Sequence, residues 1–147
     1  MFRHLTLIML LALAPLAAAQ GPADAKEQKA LKKSPPFLIT GKMPHFTKTI
    51  KQHWDDPKLG LDDAQKKALM QLRKKTISAV QRVAKELKPL EKSVAQNALA
   101  GMVPQEQGSD VEKIARLKIE ATMIHLECIY QTRTILKPQQ YTYLLSL

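Results

Sequence analysis

LDDAQKKALMQLRKKTISAVQRVAKELKPLEKSVAQNA, residues 61–98, decides the fold. Leu69, Leu72, Thr76, Ile77, Val80, Val83, Ala84, Leu87, Leu90, Val94 and Ala98 recur at spacings of three and four. That is the period of one helix face, not of a strand. Asp62 stands where a helix N-cap is wanted, and Gln65 comes three positions on, the spacing of a capping box. Asp63 adds negative charge to the first turn, and Leu61 precedes the cap as a staple residue. The spacing predicts a helix of about 38 residues, about 57 Å long at about 1.5 Å per residue. Pro89 is expected to interrupt and bend it. A helix this long with one apolar face needs another helix against it, in a hairpin or coiled-coil-like pairing.

The partner lies downstream. Residues 101–109, GMVPQEQGS, read as a turn, with Ser109 or Asp110 available to cap the next helix. Val111, Ile114, Leu117, Ala121, Ile124, Cys128 and Ile135 then repeat at helical spacing, so a third helix should return antiparallel to the long one. Leu136-Lys137-Pro138-Gln139-Gln140 opens a short last helix, with Pro138 at a tolerated first-turn position. Upstream, HFTKTIKQHW at residues 45–54 places Phe46, Ile50 and Trp54 on one stripe of a short first helix that Asp55-Asp56-Pro57 ends. Residues 20–44 read as a basic, flexible arm broken by Pro35-Pro36, with Phe37-Leu38-Ile39 available to dock on the body. No strand pattern competes. The expectation is all-α: a bent antiparallel helical hairpin flanked by short helices, spanning residues 45–147.

The first nineteen residues carry a basic Arg3, an apolar run from Leu5 to Leu16 and the small residues Ala17-Ala18-Ala19, the pattern of a secretory signal peptide. Cleavage there leaves 22 basic against 13 acidic residues, a net +9 on a 128-residue chain. One domain of that size and polarity cannot build a thick core alone, which suits long helices paired with a second copy. Such a chain works outside the cytoplasm, where its charge would steer it toward anionic surfaces and unfolded chains. Zinc-finger spacing, an RNP-like strand and a phosphate loop are all missing from the sequence, so nucleic acid is not an expected partner. A single cysteine, Cys128, excludes an intramolecular disulfide within this sequence.

Charge and donor chemistry mark the candidate functional residues. Lys67, Arg73, Lys74, Arg82, Lys85 and Lys88 put dense positive charge on the long helix, a face for acidic or unfolded clients or simply for solvation. His125 and Cys128, three apart on one helix, share a face, and soft metals accept that pair of donors. His45 and His53 on the first helix are the other metal candidates, although a buried thiol beside a hydrogen-bonded histidine explains the first pair equally well. No nucleophile, base and oxyanion constellation is legible, so neither an enzyme nor a cofactor is expected.

Two pentapeptides stand out. Leu61-Asp62-Asp63-Ala64-Gln65 opens the long helix, and Leu136-Lys137-Pro138-Gln139-Gln140 opens the last one. Each begins with Leu and ends with Gln. Over residues 45–147 the chain resembles the Spy/CpxP family of periplasmic proteins, which carry twin LTxxQ motifs. Asp62 and Lys137 stand where the family has threonine, and aspartate can cap in its place whereas lysine cannot. On this resemblance Leu61, Asp62, Gln65, Leu136, Pro138 and Gln140 are the motif and cap residues. The resemblance implies a periplasmic homodimer forming a curved cradle and an ATP-independent chaperone for unfolding envelope proteins. It also implies two alternatives: a metal-responsive sensor or resistance protein, and a module that represses an envelope-stress sensor kinase.

Overall fold

The computed structural model describes residues 35–147, which contain four α-helices and no strand. The expected signal peptide and residues 20–34 of the expected arm lie outside the described residues. The helices are α1 (Phe46–Gln52), α2 (Asp63–Leu99), α3 (Gly108–Ile135) and α4 (Pro138–Leu145), with a 3₁₀ turn at Pro104–Gln107. Among the described residues, no helix is long and apolar enough to cross a membrane.

The start of α2 is the capping box read from sequence. Asp62 Oδ1 accepts from the Gln65 backbone N–H at 2.8 Å, and Gln65 Oε1 accepts from the Asp62 N–H at 3.2 Å. The helix then runs unbroken for 37 residues with Pro89 inside it. Pro89 and Lys85 are both exposed, so water can take the carbonyl that loses its partner four residues before the proline. The predicted interruption is therefore absent. The helix ends in a Schellman motif, with Gly101 at φ 83°, its N–H on the Ala98 carbonyl at 3.1 Å, and the Met102 N–H on the Asn97 carbonyl at 3.0 Å.

Neither Ser109 nor Asp110 caps α3. The 3₁₀ turn feeds straight into it, with Gln107 already in helical conformation, so the backbone arrives pre-wound and no side-chain cap is used. The first helix is also shorter than expected, ending at Gln52, and His53 to Gly60 forms successive turns.

Contacts between α2 and α3 are the most extensive in the molecule, and their partners run in opposite order. Gln65 meets Ile135, Arg82 meets Glu120 at 2.7 Å, and Glu91 meets Lys118 at 2.8 Å. The two long helices are thus antiparallel. Their apolar faces form two clusters. Val83, Leu87, Leu117 and Ala121 make one, joined by Phe37. Phe46, Ile50, Leu59, Leu69, Leu136 and Leu144 make the other, where α1 and α4 pack on the helix pair and half-buried Trp54 and Leu61 close the edge. Residues 35–44 lie on this body. The Phe37 side chain packs into the first cluster, and the Leu38 N–H donates to Thr122 Oγ1 at 2.8 Å, while the Leu38 and Ile39 side chains stay exposed.

Candidate functional site

The two motif glutamines meet. Gln65 and Gln140 are both buried and lie amide to amide, with Gln65 Nε2 donating to Gln140 Oε1 at 2.8 Å and Gln140 Nε2 to Gln65 Oε1 at 3.1 Å. Each also reaches the other's motif. Gln65 Nε2 donates to the Ile135 carbonyl at 3.0 Å, and Gln140 Nε2 donates to the Gly60 carbonyl at 2.9 Å. Ile135 immediately precedes Leu136, and Gly60 immediately precedes Leu61, so the arrangement is reciprocal. Each glutamine oxygen also closes its own helix start, Gln140 Oε1 accepting from the Lys137 N–H at 2.8 Å. Lys137 has no acceptor to complete a box, and Pro138, which has no N–H, opens α4 in its place. Leu136 is buried beside this node. The motifs therefore act as one clamp holding the two ends of the helix pair together.

A second polar cluster lies between the two apolar clusters. His125 is only 6% exposed. The His45 ring stacks on it, centroids 4.7 Å apart and planes within 10°, and Phe37 tilts against it at 5.0 Å. His125 Nε2 lies 3.2 Å from the Pro44 carbonyl. A carbonyl only accepts, so Nε2 carries the proton and Nδ1 holds a free lone pair. Nδ1 is buried and has no hydrogen-bond partner among the described residues. Burial lowers the His125 pKa, and the neighbouring His45 lowers it further, against a smaller opposing effect of the Pro44 carbonyl. The ring is therefore neutral at pH 7. Cys128, buried one turn on, lines the same space.

That space is a cavity of about 390 Å³. Phe37 and the Pro44–Lys48 segment form one wall, Arg73, Ile77 and Val80 of α2 another, and His125, Cys128 and Ile129 of α3 the third. Among the metal candidates, the fold thus brings His45, His125 and Cys128 to one cavity, while His53 sits apart with Nδ1 3.5 Å from Asp56 Oδ2. Among the described residues, no three His, Cys, Asp or Glu side chains are grouped so as to hold a metal ion.

The basic face is mostly open. Lys67, Lys74, Lys85 and Lys88 are exposed and make no ion pair among the described residues, whereas Arg82 is paired with Glu120 and Arg73 is half-buried at the cavity. Sequence reasoning missed a feature of α3. Ile119, Met123, Leu126 and Tyr130, at spacings of four, three and four, form an exposed apolar stripe in which Met123 is 58% and Tyr130 63% exposed. The helical period of that stripe was legible, but it is interleaved with the buried stripe of Leu117, Ala121, His125 and Cys128, so the sequence does not say which one packs. No family model, no curated protein and no solved structure matches this chain.

Proposed function

We propose that this protein is an ATP-independent periplasmic chaperone of Spy/CpxP type, acting as a homodimer of bent helical hairpins that form a cradle. It holds unfolding envelope proteins by transient contact and releases them without nucleotide. The observation that carries this reading is the exposed stripe Ile119, Met123, Leu126 and Tyr130, together with exposed cations at Lys67, Lys74, Lys85 and Lys88 that make no ion pair among the described residues. A continuous apolar face that the described residues leave uncovered marks an interaction surface. Methionine and tyrosine suit an adaptable one, since both keep apolar area with little demand on partner shape. The cations add long-range attraction for acidic clients and keep the apolar face soluble. The reciprocal Gln65–Gln140 clamp supports the family resemblance, because it gives the twin motifs a shared structural reason to exist.

Sedimentation velocity tests the proposal. The purified chain should sediment as a dimer and carry a permanently unfolded client, reduced and carboxymethylated α-lactalbumin, in its boundary. Met123→Asp with Tyr130→Asp should abolish that co-sedimentation while the far-ultraviolet circular dichroism is unchanged. A monomeric protein, or client capture indifferent to the stripe, would overturn it.

A further inference from the structure

We propose that the cavity between the Phe37–Lys48 segment and the two long helices binds a small aromatic carboxylate. This goes beyond client holding and does not depend on it. The volume, about 390 Å³, falls in the range of sites that enclose small organic ligands. The lining is chiefly apolar and aromatic, with Phe37 and the two imidazoles presenting ring faces and edges. Flat ligands stack on such surfaces.

Charge selects the sign of the ligand. Arg73 and Lys48 line the cavity, no acidic side chain does, and neither cation has an ion-pair partner among the described residues. A half-buried guanidinium without a carboxylate is well matched to a ligand that brings one, in a bidentate pair. An apolar ring body and a carboxylate for Arg73 together describe the ligand class. Phe37, Pro44 and His45 bound the cavity on one side, through the Phe37 ring and the Pro44–His125 hydrogen bond, so binding would also fix this segment on the body.

Two probes separate these features on the unaltered protein by calorimetry and by histidine side-chain nuclear magnetic resonance. Indole-3-acetate has the ring and the carboxylate, and tryptamine replaces the carboxylate with a cation. We expect saturable one-to-one binding of indole-3-acetate with shifts of the His125 and His45 ring signals. Tryptamine should not bind. Arg73→Gln, at a half-buried position outside both apolar clusters, should weaken indole-3-acetate about tenfold, as expected for loss of a charge-assisted pair. Absence of saturable indole-3-acetate binding, equal affinity for tryptamine, or binding that leaves the His125 ring signals unmoved would overturn the proposal.

Discussion

Gln140→Met removes one half of the motif clamp at nearly constant volume. In the wild type Gln140 accepts from the Lys137 N–H at 2.8 Å and donates to the Gly60 carbonyl at 2.9 Å, besides its paired contacts with Gln65. After substitution Gln65 still has the Asp62 N–H and the Ile135 carbonyl. The Lys137 N–H and the Gly60 carbonyl are the groups left without a partner. Each is partly buried, so each costs about 1 to 1.5 kcal/mol, and their loss is about 2 to 3 kcal/mol before the shared amide pair itself is counted. A folded body of about 110 residues has an unfolding entropy near 0.23 kcal/mol/K, which converts that loss to about 10 °C in Tm. Thermal unfolding followed at 222 nm measures it. Gln65→Met should behave alike, and the double variant should cost less than the two singles together, because both singles break the same amide pair. A shift under about 2 °C, or strict additivity of the two substitutions, would refute the clamp.

Three further expectations concern single groups. His125 has a folded pKa below its ordinary 6.5, so the unfolded chain binds the extra proton first. Its contribution to stability is therefore complete above about pH 6.5, declines as pH falls toward the folded pKa, and should disappear from the pH–stability curve in His125→Phe. Tyr143 donates to Asp56 Oδ2 at 2.7 Å, and this bond holds the Asp56 carboxyl below its ordinary range; Tyr143→Phe should raise the Asp56 pKa toward 3.8 in a carboxyl titration by nuclear magnetic resonance. Cys128 is 5% exposed, so a thiol reagent should label it rapidly only in denaturant, and rapid labelling of the native protein would contradict its burial.

Much of this fold was legible because its helices are long and strongly periodic. The capping box at Asp62 and Gln65, the apolar face carrying Leu69, Val83 and Leu87, the Gly101 turn and the first-turn position of Pro138 were all readable from residue type and spacing. Boundaries were less legible. Whether Ser109 caps a helix depends on how the preceding turn is wound, which is a property of the backbone around Gln107 and not of the serine. Pro89 reads as a break in sequence, yet its place on an exposed face lets the helix continue.

The candidate site was legible in its donors and not in its contacts. His125 and Cys128 share a helix face by spacing alone, but the stack of His45 on His125 joins residues eighty positions apart through α1 packing. The meeting of Gln65 with Gln140 is of the same kind, since sequence marks two equivalent motifs without saying that they touch. Buried Thr122 and Thr132 also went unread as core. Each donates its hydroxyl proton to the carbonyl four residues earlier in α3, at 2.7 Å, so a polar residue enters the interior with its donor satisfied inside its own helix.

Light scattering from a thermally or chemically unfolding model client, in nucleotide-free and metal-free buffer, tests the central claim most directly. The account predicts that the purified protein suppresses aggregation near equimolar ratio, and that Met123→Asp with Tyr130→Asp removes the suppression. Unchanged scattering at large molar excess of the protein would contradict it.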